Sequence, residues 1–142
     1  MNHKVLAYIT RRLDDQPQLL VFTHRDFPEA GRQVPAGTVE PGEAIEAALF
    51  REIQEESGLT EVHLIRKLAE HTEVEWGHIR HVFQLTASRD VPDAWRHIVR
   101  GQGEDAGLVF EYQWADLNPE VKLAGKQAQW LSELTDDRTK TY

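Results

Sequence analysis

Apolar residues along this chain recur at two spacings, every second residue or every third to fourth, and the changes between them mark out its elements. Val5 to Thr10 alternates weakly and predicts a strand. Gln18 to Thr23 holds an unbroken run, Leu19-Leu20-Val21-Phe22, which predicts a strand buried on both faces. Asp14-Asp15-Gln16-Pro17 between them is a turn sequence, so the two should form a hairpin. Val62 to Leu68, Thr72 to Trp76, His78 to Ala87 and Gly107 to Trp114 also read as strands, with Gly77 as a hairpin turn. Residues 43 to 57 are strong helix formers between the turn Pro41-Gly42 and the stop at Gly58. Residues 93 to 100 predict a short helix and 101 to 106 a glycine-containing loop. After Asp116-Leu117-Asn118-Pro119, the spacing of Val121, Leu123, Ala124, Ala128, Leu131 and Leu134 predicts a structural helix reaching about Leu134. Residues 1–134 are expected to form one domain and 135–142 a loose polar tail. Strands outnumber helices and no βαβ series alternates, which predicts the α+β class, a mixed sheet between helices.

The helix at 43–57 carries an unusual charge pattern. At about 100° per residue, Glu52, Glu55 and Glu56 fall in one arc of about 100°, in or beside the arc of Ile45, Ala48 and Leu49. The apolar stripe therefore continues as carboxylates. Three acids facing the core are costly unless compensated, and they repel one another at these spacings. A divalent cation answers both problems, and all-oxygen ligands favour a hard ion, Mg²⁺ or Mn²⁺. Arg51 lies four residues before Glu55, in reach of a supporting ion pair. The bland alternative is a solvated charged helix, but Glu46 and Gln54 lie on another side, away from the acid arc.

Gly37 is followed after five residues by Glu43, and after seven more by Arg51-Glu52-Ile53. Glu55-Glu56 and then Gly58-Leu59 follow, each after one residue. This spacing resembles the signature of the Nudix hydrolase family. The usual form has two glycines at the start, and this chain has Ala36 before Gly37. The resemblance implies an α/β/α sandwich with the signature as loop-helix-loop. It also implies hydrolysis of a diphosphate linkage in a nucleoside diphosphate derivative, with a divalent metal. Carried onto matching positions, Glu52, Glu55 and Glu56 would hold the metal, with the Gly37 carbonyl as a further ligand. Glu43 and Arg51 would brace the signature, although eight residues along one helix would set them two turns apart unless the loop rearranges. An additional acid before the tryptophan-ended strand serves as ligand or base in several family members. Glu104 is preferred here, with Asp105 and Glu111 as alternatives.

Composition narrows the reading. The chain has 142 residues, no cysteine and a formal charge of −8. No disulfide framework or thiol chemistry is available, which also counts against family relatives that isomerise prenyl diphosphates with a cysteine. The acidic surface makes long nucleic acid a poor substrate and a small nucleotide a better one. No apolar run reaches membrane-spanning length, no signal-peptide pattern precedes Val5, and a cytoplasmic protein is expected.

Substrate contacts are less defined. Arg25 and Arg32, in a loop from His24 to Gln33, are candidates for phosphate contact or plain solvated arginines. Trp76 could stack on a base or anchor a core edge. His78 and His81, three apart on a strand, point to opposite faces and do not suit one metal. The tyrosine typical of diadenosine polyphosphate hydrolases is replaced by Glu75 and Trp76, and the motif of family NADH hydrolases is absent. No coenzyme A signature is visible either. Nucleoside di- or triphosphates and nucleotide sugars stay open as substrates. A homodimer is common in the family, and nothing in the sequence demands one. The expected reaction is attack of water on phosphorus, with Glu52 or Glu104 taking its proton. The competing expectation is a Nudix-fold binding or regulatory module without catalysis, which would usually carry a degraded signature.

Overall fold

The computed structural model describes residues 1–118 and 120–134. The N-terminal hairpin forms as the hydrophobic pattern requires, with longer strands: β1 is Asn2–Leu13 and β2 is Gln16–His24. Asp14 and Asp15 turn the chain with φ of 50° and 64°. Two left-handed residues in succession match the twist of the flanking strands, and aspartate tolerates that conformation. Leu19, Leu20, Val21 and Phe22 are all buried, alternately on the two faces of the sheet.

Five further strands complete one mixed sheet. They are β3 (Ala36–Thr38), β4 (Val62–Glu73), β5 (His78–Ala87), β6 (Ala94–Ile98) and β7 (Val109–Asp116). The order is β4-β5-β1-β2-β7-β6, and β3 pairs with the first half of β1. The β1–β5 pair is parallel and the other pairs are antiparallel. The single α-helix among the described residues, α1 (Ile45–Ser57), lies on one face. Val5, Ala7, Ile9, Phe83 and Phe110 pack there against Ala48, Leu49 and Ile53. The other face buries Leu6, Tyr8, Leu19, Val21 and Val82 under Val121, Trp130 and Leu131. The chain therefore has the layered α+β architecture expected of it.

Three sequence expectations are corrected. Thr72 to Trp76 is not a separate strand: β4 runs on to Glu73, a 3-10 turn spans Val74–Trp76, and Gly77 closes the hairpin at φ 70°. Residues 93–100 do not form a helix. Ala94–Ile98 is an edge strand paired with β7, whose half-buried residues Trp95 and His97 both face α1. The helix to Leu134 is replaced by successive turns and a 3-10 turn at Leu131–Glu133. Gly125 takes a left-handed φ of 58°, which interrupts a right-handed helix. Beyond it, amide hydrogens bond three residues back, as Leu131 N–H does to Ala128 and Glu133 N–H to Trp130. The backbone carbonyl of Gln127 is turned away to accept from the Tyr8 hydroxyl, and its side-chain oxygen accepts from Val34 N–H. The apolar stripe still buries Val121 and Leu131, so its spacing identified the inward residues and not their backbone. Pro119 and the polar tail at 135–142 lie outside the described residues.

Candidate active site

The loop before α1 and the last turns of α1 meet at β3. Gly42, at φ 78°, turns the chain, and Glu43 stays outside the helix. That placement removes the spacing problem with Arg51. The Arg51 guanidinium donates to both Glu43 oxygens, Nε to Oε2 at 2.7 Å and Nη2 to Oε1 at 2.9 Å. Its Nη1 donates to Glu52 at 2.9 Å and Glu55 at 2.8 Å, and Nη2 also reaches the Thr38 carbonyl. One cation thus joins three carboxylates and the backbone of β3, in a planar fork that a lysine cannot reproduce. The Arg51 hydrogen bond, helped by Glu40 N–H, holds the Glu43 carboxyl down to about 2. The same contacts, Glu43 first, raise Arg51 above its ordinary value.

Two glycines let the acids come close to backbone. A Cβ on Gly37 would lie 2.1 Å from the Glu52 carboxyl carbon, and one on Gly101 would lie 2.3 Å from Glu55 Oε2. Any larger residue at either position would displace a carboxylate. Glu56 points inward, is only 7% exposed, and accepts from Ala36 N–H at 3.2 Å. Burial raises its carboxyl well above the usual range, against the opposing pull of that amide. Burial also raises Glu52, with Arg51 opposing.

The C-terminal end of α1 is held by partners that helix patterning alone does not reveal. Gly58 ends it in the left-handed conformation at φ 81°, as expected. The Trp95 indole donates to the Ser57 carbonyl at 2.9 Å, and Tyr112 Oη to the Glu56 carbonyl at 2.9 Å. His97 Nε2 and Arg100 N–H both meet the Glu55 carbonyl at 2.9 Å. These contacts satisfy terminal carbonyls that a helix cannot satisfy itself. They also fix the direction of the acid-bearing turn. The signal in the sequence was the alternation of Trp95 and His97, which puts both on one face of a strand.

The acids line a cleft of about 630 Å³ that wraps around β3. Glu52, Glu55, Glu56 and Gly37 line it together with Arg100, Glu104 and Asp105 of the loop after β6. Lys4, whose ammonium donates to Thr38 Oγ1 at 2.6 Å, lies at its rim. Glu104 and Asp105 are therefore both placed where an additional acid would act. Glu111 is not: it pairs with Arg96 at 2.7 Å on β7. Neither arginine of the second loop reaches the cleft. Arg25 pairs with Asp26 at 3.1 Å, and Arg32 lines a separate hollow beside Trp114 and Lys122. Trp76 lies outside the cleft as well, and at 67% exposed it is no core anchor. His78 and His81 diverge as expected, His78 to Glu73 and His81 to His3 and Lys67.

The donor set suits a hard divalent cation: oxygen ligands only, one carboxylate already buried, and the Gly37 backbone packed against Glu52. As the side chains stand, no three acidic or histidine groups among the described residues converge on one point. Glu52 and Glu55 turn to Arg51 instead, so the guanidinium supplies the positive charge there. A cation would have to compete with one arm of Arg51, whose remaining hold on Glu43 would keep the helix in place.

Comparison with known proteins gives a consistent family and fold. The profile of the NUDIX domain matches residues 2–136. Comparison with curated proteins finds no match. Among solved structures, a C. elegans Ap4A hydrolase superposes with a TM-score of 0.64 at 18% identity, over 94% of this chain and 95% of that one. A binary complex of a C. elegans Ap4A hydrolase gives 0.64 at 17%, over 93% and 96%. The NUDIX domain of Shewanella oneidensis NrtR, complexed with ADP ribose, gives 0.62 at 16%, over 99% and 88%. At these identities the likeness is one of fold.

Proposed function

The chain belongs to the Nudix family, and from that premise we propose that it is a pyrophosphohydrolase that uses Mg²⁺ or Mn²⁺ to hydrolyse a diphosphate linkage in a small nucleotide derivative. The observation that carries this reading is the gathering of Glu52, Glu55 and Glu56 with Glu104 and Asp105 in the lining of one cleft. Glu52, Glu55, Glu56 and the Gly37 carbonyl would hold the metal, with Glu104 or Asp105 completing the set from the loop. When bound, the metal neutralises phosphate charge and lowers the pKa of water.

The chain's own residues supply the rest. Arg51 holds the acid turn in register with β3 through Glu43 and Thr38. Lys4 and Arg100 are the other cations lining the cleft, and they suit the non-bridging phosphate oxygens. Glu52 or Glu104 accepts the proton of the attacking water. The bond that forms is oxygen to phosphorus, the P–O bond to the leaving phosphate breaks, and the leaving group departs as a phosphate anion. A cytoplasmic site of action belongs to the same proposal.

Purified protein with a panel of nucleoside di- and triphosphates and nucleotide sugars should release phosphate or a nucleoside monophosphate with Mg²⁺ or Mn²⁺, and stop with chelator. No turnover of any member of the panel with either metal would overturn the reading in favour of a binding module.

A further inference from the structure

Successive carbonyls at the end of α1 accept from the β6–β7 side of the sheet, and that of Glu55 differs from its neighbours. The Ser57 carbonyl accepts from the Trp95 indole and the Glu56 carbonyl from Tyr112 Oη. The Glu55 carbonyl takes two donors, His97 Nε2 and Arg100 N–H, both at 2.9 Å. Leu59 N–H, which would reach that carbonyl in a longer helix, bonds to Ser57 Oγ at 3.1 Å instead. A carbonyl only accepts, so Nε2 carries the hydrogen. The His97 ring is closely seated: a Cβ on Gly58 would lie 3.0 Å from its Nδ1.

The two donors to Glu55 belong to the strand and loop that present the other acids of the cleft. His97 is on β6, and Arg100 opens the loop that carries Glu104 and Asp105. The stem of that loop is closed by Val99 N–H to the Leu108 carbonyl and Gly107 N–H to the Val99 carbonyl, each at 2.9 Å. Gly101 then packs on the Glu55 carboxylate, where an added Cβ would lie 2.3 Å from Oε2. Glu55 is thus met by the loop stem at both its carbonyl and its carboxylate. Residues 101–107 are all exposed. Little burial holds them, so the stem decides where Glu104 and Asp105 stand.

We propose that His97 is a positioning residue that ties this loop to α1, so that Glu104 and Asp105 meet the same cation as Glu52, Glu55 and Glu56. The inference rests on the metal-dependent reading above and adds the side chain that assembles its site. Trp95 and Tyr112 still hold α1 when His97 is lost, so the part that shifts is the loop. Without the imidazole donor, Arg100 N–H remains on that carbonyl, and one bond fixes a distance but leaves the stem free to swing about it.

The test is a mutant cycle read as Mn²⁺ affinity, measured on the whole chain by electron paramagnetic resonance. His97→Leu keeps bulk without a donor and should weaken Mn²⁺ by about 10-fold, the lower end of the loss when an outer partner of a metal ligand is removed. His97→Gln should recover most of that, because its amide nitrogen lies the same number of bonds from Cα as Nε2 and donates to the same carbonyl. In a Glu104→Gln/Asp105→Asn background, His97→Leu should change affinity by less than about 2-fold. His97→Phe, which keeps a ring against Gly58, repeats the cycle should His97→Leu melt below the assay temperature. The full loss in the loop-acid background would show His97 acting through Glu55 alone and would overturn the link. So would parent affinity in His97→Leu, or a loss that glutamine does not recover. A parent chain that takes up no Mn²⁺ would sink the metal reading and the link together. Nucleotide turnover is scored separately: an intact cycle without turnover of any panel member would sink the hydrolase reading and leave the link standing.

Discussion

The two faces of the sheet are covered in different ways. On the α1 face, a regular helix carries both the core contacts of Ala48, Leu49 and Ile53 and the acids of the cleft. Its position is set redundantly, by Arg51 at its middle and by Trp95, His97 and Tyr112 at its end. On the other face, residues 121–134 form turns held by separate single contacts: Ala124 to Arg32, Gln127 to Tyr8 and Val34, Trp130 to Tyr8 and Glu133 to Arg66. The difference separates two demands. Burying apolar surface requires only that the right side chains face inward, and irregular backbone can do that. Holding like charges within a few ångströms of one another requires fixed backbone and counter-charge; the helix supplies the first, and Arg51 supplies the second against the negative end of the helix dipole.

The sharpest way to break that comparison is at Glu56. Glu56→Gln should lower turnover by about 10²–10³-fold, the scale of losing one preorganised electrostatic partner. Without metal, the same variant should melt at or above the parent, because a buried carboxylate that costs energy becomes a neutral amide. Unchanged turnover would remove Glu56 from the machinery, and a large loss of stability would make its role structural. Next in size, Arg51→Ala leaves Glu43, Glu52 and Glu55 uncompensated and should cost about 3 kcal/mol in urea unfolding, partly recovered by Mg²⁺. A cost within experimental error would show that the acids do not depend on the guanidinium.

On the opposite face, Tyr8→Phe removes the hydroxyl that donates to Gln127 and accepts from Trp130 N–H. It should cost about 1 kcal/mol and speed amide exchange in residues 121–134 while leaving α1 protection unchanged. Faster exchange in α1 would mean the two layers are one cooperative unit. The smallest effect concerns acid. Glu43 is depressed to about 2, below its ordinary 4.5, so its stabilisation is complete above 4.5 and is lost as pH falls through 2. Glu43→Gln should therefore flatten the stability profile between those values, and parallel profiles would contradict the pairing with Arg51.

What the sequence revealed followed from local chemistry. The Gly37–Leu59 signature, the Gly58 stop and the β1–β2 hairpin rest on spacings within a few residues, and each is found in place. Edge strand β6 was mistaken for a helix because five residues decide little until β7 pairs with them, and that pairing is non-local. The C-terminal segment kept its buried residues but lost its helix to Gly125 and to hydrogen bonds with Tyr8, over a hundred positions away. At the site, the three acids were legible from helical phase. The Arg51–Glu43 contact was legible as a pair but not as a geometry, because Glu43 lies outside the helix, just before its cap at Ala44. Arg25 and Arg32 combine the right charge with a loop where family members contact substrate, and neither feature fixes their distance from the cleft.

The central claim is that the carboxylates of α1 share a divalent cation, and binding of Mn²⁺ followed by electron paramagnetic resonance tests it most directly. The chain should deplete free Mn²⁺ in solution, Mg²⁺ should compete, and a Glu52→Gln/Glu56→Gln variant that still melts cooperatively should lose that binding. Mn²⁺ uptake by the variant equal to that of the parent would contradict the account.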